Sequence, residues 1–172
     1  MKKQKRKVGF TIIEMVTVVA IMAILFTVVT VSLRSKSKTK ELDENVKAMK
    51  AGISLARNNA LSGYQATASI IYGYGIYAAS SSPLYIIYAD TNNNQIYDSS
   101  VDTITENYAL NDNAQITSCT GGGCDVFFSL YEGNVYANGA TGFTAFTLNL
   151  QHPKDAGVFA SITVGELTGA IE

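Results

Sequence analysis

Oxygen-bearing groups fall at alternate places in one short segment: Asp90, Asn92, Asn94, the carbonyl of Ile96 and Asp98. These match the first five alternate positions of a calcium-binding loop, where alternating oxygens let a short stretch of chain wrap a hard cation. The match is incomplete. Gln95 stands where such loops have glycine, and Val101 where they have a bidentate glutamate, with Asp102 one residue later as a substitute. The alternative is a polar turn between two strands, because Asn and Asp tolerate left-handed backbone angles. Cys119 and Cys124 flank Thr120-Gly121-Gly122-Gly123, a linker flexible enough to let them meet. In an exported chain such a pair reads as a disulfide. Two free thiols are the alternative, and a metal site would need further ligands that are not nearby. Closing so short a loop removes little chain entropy, so the bond is expected to pin a loop rather than hold up the fold. No enzyme constellation stands out. His152, the only histidine, lies in Gln151-His152-Pro153-Lys154 and reads as a loop residue. Ser129 and the cysteines have no base nearby in sequence, and there is no glycine-rich phosphate loop. Asp98 with Asp102 is more simply a pair of solvated surface acids. The chain is therefore not expected to be an enzyme, and calcium is the one cofactor its residues suggest.

One further acid stands apart. From Phe10 to Leu33 the chain is almost wholly apolar, with Glu14 its single charge. As a helix this run is roughly 36 Å long, enough to cross a bilayer core. The residues before it, Met1 to Gly9, carry five cations: Lys2, Lys3, Lys5, Arg6 and Lys7. A basic flank stays on the cytoplasmic side, so the rest of the chain should face outward. The run is too long for the apolar core of a secretory signal peptide, and no small-x-small cleavage site follows Leu33. A plain signal anchor leaves Glu14 unexplained, since a carboxylate in lipid costs at least about 2 kcal/mol unless it is partnered or near the interface. The charge is also unevenly spread. Of 13 Lys and Arg residues, 12 lie between Lys2 and Arg57, and beyond Arg57 ten acids face the single base Lys154. Such a head repels phosphate backbones, which disfavours nucleic acid as a partner.

Gly9-Phe10-Thr11-Ile12-Ile13-Glu14, followed by Met15-Val16-Thr17-Val18-Val19-Ala20-Ile21, resembles the prepilin signature of type IV pilins and type II secretion pseudopilins. The resemblance implies that a membrane prepilin peptidase cuts between Gly9 and Phe10. Phe10 then becomes the N-methylated terminus, and Glu14 meets the N-terminal amine of a neighbouring subunit during assembly. The physics is compatible: each charge is costly in lipid, and pairing removes much of that cost. Two positions depart from the family. Ala23 and Val31 stand where many members have Gly and Pro, and both favour helix, which places the helix melting of some assembled pilins in doubt here.

Positioning these groups takes a few elements. Leu42, Val46, Met49, Ile53, Ala56 and Ala60 recur at steps of four and three, a helical stripe. No Gly or Pro interrupts Arg34 to Lys40, so one helix is expected from about residue 10 to 61, ended by Gly63. The basic run itself suits a juxtamembrane patch. Beyond Gly63 the composition favours strands, expected at 67–78, 84–89, 103–108, 114–117, 126–132, 134–137, 143–150 and 158–164. Segments 56–63, 74–77 and 88–98 are loosely similar to minor pilins and pseudopilins of the FimT and GspH kind. That likeness implies two sheets on the helix. The expected fold is α+β: a leader at 1–9, a membrane and assembly half of the helix at 10–33, an amphipathic half at 34–62 packed on the head, and a β-rich head outside the cytoplasm at 63–172, of two antiparallel sheets. The expected role is a structural subunit held in the inner membrane by one helix, with the prepilin peptidase and other pilin subunits as partners. The rival is a membrane-anchored extracytoplasmic binding module that never polymerises.

Overall fold

The computed structural model describes residues 11–65, 69–111, 114–165 and 170–172. The chain divides into two compact units, Met1–Ser37 and Lys38–Glu172. One helix, α1 (Ile12–Ser62), contributes to both.

In the first unit the 19 residues Ile12–Thr30 have a mean hydropathy of 2.7, and none of this stretch is buried inside the chain. A helix that is apolar all round, with nothing of its own to cover it, suits lipid or another helix rather than water. Its few hydroxyls are satisfied locally. Thr27 Oγ1 donates to the Ala23 carbonyl at 2.9 Å and Thr30 Oγ1 to the Phe26 carbonyl at 3.0 Å. No side-chain donor there needs water.

In the second unit α1 turns the expected stripe inward: Leu42, Met49, Ile53, Ala56 and Ala60 are buried and Val46 is half-buried. Asn45 joins this face; its Nδ2 donates to the Glu41 carbonyl and its Oδ1 accepts the Asn111 amide at 2.8 Å. The helix ends in a Schellman motif. The Tyr64 amide bonds the Asn59 carbonyl and the Gly63 amide the Ala60 carbonyl, with Gly63 at φ 65°, a conformation that glycine adopts without penalty.

The strands are β1 (Gly73–Ala78), β2 (Leu84–Asp90), β3 (Thr103–Ala109), β4 (Gln115–Cys119), β5 (Asp125–Ser129), β6 (Val135–Ala137), β7 (Ala145–His152) and β8 (Asp155–Gly165). They form two antiparallel sheets, ordered β3-β2-β1-β5-β6 and β4-β7-β8. β7 alternates half-buried and buried along its whole length, the signature of a sheet with one face on the core. Phe146, Leu148 and Leu150 of β7 share that core with Tyr74 and Ile76 of β1, Ile87 of β2 and Phe128 of β5. The first strand is shorter than expected. Its ladder opens at Gly73, opposite Asp90 where β2 ends, and the Tyr72 amide still donates to the Asp90 carbonyl.

On the central strands β1, β2 and β5 the outer face of the five-stranded sheet is buried as well. Segment 91–102 folds back over it. The Tyr97 ring lies 5.0 Å from that of Tyr77 and 5.2 Å from that of Tyr88. Gly75 makes room for this second layer, since a Cβ there would overlap the Tyr88 ring.

Candidate functional site

The N-terminal features come first. Gly9 and Phe10 lie outside the described residues. Thr11 and Glu14 form a reciprocal pair at the start of α1. The Glu14 amide donates to Thr11 Oγ1 at 3.3 Å, and Glu14 Oε2 accepts the Thr11 amide at 3.3 Å. This is a capping box, in which a threonine and a glutamate three residues on satisfy each other's free amides. Its signal, Thr-x-x-Glu before an apolar run, is present in the sequence, and it gives Glu14 a partner within its own chain.

The oxygen-rich segment is held by its own amides. Asp90, fully buried, accepts the amides of Asn92 at 2.9 Å, Asn93 at 2.7 Å and Gln95 at 3.0 Å. Asn92 Oδ1 accepts the Asn94 amide, Asn94 Oδ1 the Ile96 amide, and Asp98 Oδ1 both the amide and the hydroxyl of Ser100. Asn93 and Gln95 both sit at φ 60°, so Gln95 takes the left-handed conformation its place in the pattern requires. Asp102 draws the two ends together, accepting the amides of Thr91 at 3.1 Å and Asp98 at 2.7 Å. Among the described residues, no three His, Cys, Asp or Glu side chains are grouped as metal ligands.

Asp125, which the sequence reading did not single out, anchors this loop to the sheet. It opens β5, is 2% exposed, and accepts the Tyr88 hydroxyl and the Tyr97 amide, each at 2.7 Å. Burial pushes its carboxyl up to about 7. The two hydrogen bonds oppose that rise, and the nearby charges of Asp102 and Asp90 add to it. The Tyr88 hydroxyl is itself driven far up, chiefly by burial and then by the Asp125 charge.

Cys119 and Cys124 form the disulfide, with Cα atoms 5.3 Å apart. It pins the expected loop and also joins the last residue of β4 to the residue before β5, tying one sheet to the other. His152 corrects a sequence expectation. It is the last residue of β7 rather than a loop residue, and it is 5% exposed because the β7–β8 hairpin folds its ring inward, where Nδ1 accepts the Lys154 amide. Beside it, Asp155 pairs with Lys38 at 2.8 Å. Ser129 Oγ accepts the Asn134 amide and serves a turn.

A model of the prokaryotic N-terminal methylation motif matches residues 4–30. Comparison with curated proteins and with solved structures gave no match. The motif covers Lys5, Arg6 and Lys7 of the basic N-terminal segment, Glu14 and the apolar stretch that ends at Thr30, the same stretch that the fold leaves uncovered. With that motif and an apolar helix of membrane-spanning length within it, the N-terminal part of the chain is similar to that of type IV pilin-like proteins.

Proposed function

We propose that the chain is a structural subunit of a type IV pilus or a type II secretion pseudopilus. It enters the inner membrane with its head outside the cytoplasm, is cut between Gly9 and Phe10 by a prepilin peptidase, and is methylated on Phe10. Assembly runs through the apolar half of α1, with Glu14 set against the Phe10 amine of a neighbour. The loose likeness to minor pilins favours a place at a tip or initiation complex. The carrying observation is the methylation motif ending at Thr30 on a helix stretch that is wholly exposed within its own chain. A surface of this kind needs lipid before assembly and other helices after it.

The capping box gives the rival reading its one specific support. If Glu14 only closes its own helix end, a non-polymerising anchor uses it fully. Glu14→Gln separates the two readings, because a capping box works with Gln as well as Glu while the charge is lost. In a strain with an active prepilin peptidase, membrane protein should begin at Phe10 with one added methyl by intact mass. Glu14→Gln and Glu14→Leu should both reach wild-type membrane levels yet fall by at least about tenfold in the sheared filament fraction, since a neighbour's buried amine lacks its partner. Retained Met1 sinks the processing step. Equal incorporation of Glu14→Gln and wild type moves the anchored module ahead.

A further inference from the structure

At the C-terminal end of α1, three large apolar side chains stand in the open: Leu61 at 42% exposure, Tyr64 at 54% and Tyr131 at 68%. They form a built surface. The Tyr131 amide donates to the Ala60 carbonyl at 2.9 Å, its ring lies over Gly63, and the Leu61 side chain lies against Gly133. Tyr131 sits at φ 64°, a left-handed conformation in which a tyrosine is unusual and which its neighbours must impose. Tyr64 also lines an adjoining groove of about 230 Å³ with Asn59 and Thr103, Ile104, Thr105 and Glu106 of β3. Two acids, Glu106 and Glu132, are exposed around this surface.

The occupant follows from charge. Two such surfaces face to face would set these acids against each other. The complement must be apolar and basic, and beyond Arg57 the chain offers only Lys154. On α1, Lys38 is taken by Asp155 and Lys40 lies 3.9 Å from Glu44. Lys47 and Lys50 have no ion-pair partner among the described residues. They flank Ala48, Ala51 and Leu55, exposed at helical spacing on the side of α1 away from the core.

We propose that the Leu61–Tyr64–Tyr131 surface of one copy docks on the Lys47–Leu55 side of α1 in a second copy. The large side chains meet a low-profile apolar strip, and Glu106 and Glu132 meet Lys47 and Lys50. The two patches lie at different heights on the same helix, so the copies are offset along it by roughly 15–20 Å. A contact between unlike patches repeats without closing, which is how an open filament grows. The inference rests on the filament reading and adds the surfaces through which heads stack.

The test places a photo-crosslinking residue, p-benzoylphenylalanine, at Tyr131 of the full chain in its native membrane. Irradiation should give a dimer of the chain whose linked peptide lies between Lys47 and Leu55 of the other copy. Glu106→Lys with Glu132→Lys should lower its yield by at least about tenfold, and adding Lys47→Glu with Lys50→Glu should restore most of it. Oxidised Cys119–Cys124 and unchanged membrane level serve as folding controls, and the crosslinked position decides the matter even where a reversal variant misfolds. No dimer, a link to another region or another protein, or a yield indifferent to both reversals overturns the docking. A sheared filament fraction without the crosslink rejects the docking alone, whereas the crosslink without that fraction rejects the filament and leaves the contact.

Discussion

Asp125 holds a carboxylate under the 91–102 loop with only a hydroxyl and an amide for company, and its charge faces Asp90 and Asp102. Its folded pKa of about 7 lies above the ordinary carboxylate value, so the folded chain binds this proton more tightly than the unfolded one. The stabilisation from this group is complete below pH about 4 and is lost as pH rises toward 7. Over that interval it is worth on the order of a few kcal/mol. Asp125→Asn mimics the protonated acid: its amide can donate to the Tyr88 oxygen and its carbonyl can accept from Tyr97. The wild-type melting temperature should fall between pH 5 and pH 8, and that of the variant should fall much less. A variant with the same pH slope as wild type rules out Asp125 as the source.

At the scale of elements, the 91–102 loop is shaped by hydrogen bonds that need no cation: Asp90 alone satisfies three amides. Calcium at millimolar concentration should therefore leave the melting temperature unmoved, whereas a cation bound to the folded state would raise it by linkage. Asp90→Ala should destabilise by roughly 1–3 kcal/mol with or without calcium, because three loop amides lose their acceptor. A calcium-dependent rise that Asp90→Ala abolishes would favour the cation reading instead. The same loop marks what could be seen in the sequence and what could not. The helical stripe from Leu42 to Ala60 is a local period and appears as expected, and the strand expected at 143–150 is found as β7, Ala145–His152. The capping box also lies within four residues, Thr11 to Glu14. Asp125 was out of reach, since its partners Tyr97 and Tyr88 are 28 and 37 residues away and meet it only when a loop crosses the outside of the sheet. The burial of His152 depends likewise on how the β7–β8 hairpin folds, which Gln-His-Pro-Lys does not encode by itself.

At the scale of the whole molecule, the two sheets of the second unit are joined both by the link between β4 and β5 and by the core they share. The disulfide spans five residues, and Ser82, in the turn between β1 and β2, makes an isolated bridge to Ile116 of β4. Replacing Cys119 and Cys124 by serine should cost roughly 2 kcal/mol from chain entropy alone. The sheets should stay paired through the shared core, so chemical denaturation should remain a single transition at a lower midpoint. Two separate transitions would show that the bond, and not the core, unites them.

The capping box carries one consequence for the life of the chain. Both of its members, Thr11 and Glu14, lie on the same side of the Gly9–Phe10 bond. Helices are most vulnerable at their first turn, where amides lack partners, and trimming a precursor close to that point ordinarily frays it. Here the two residues that close the first turn, Thr11 and Glu14, would both stay with the helix. Scission at that bond would change the charge at the membrane edge while leaving both members of the cap on the helix, so it would alter where the chain can go without removing what closes the first turn.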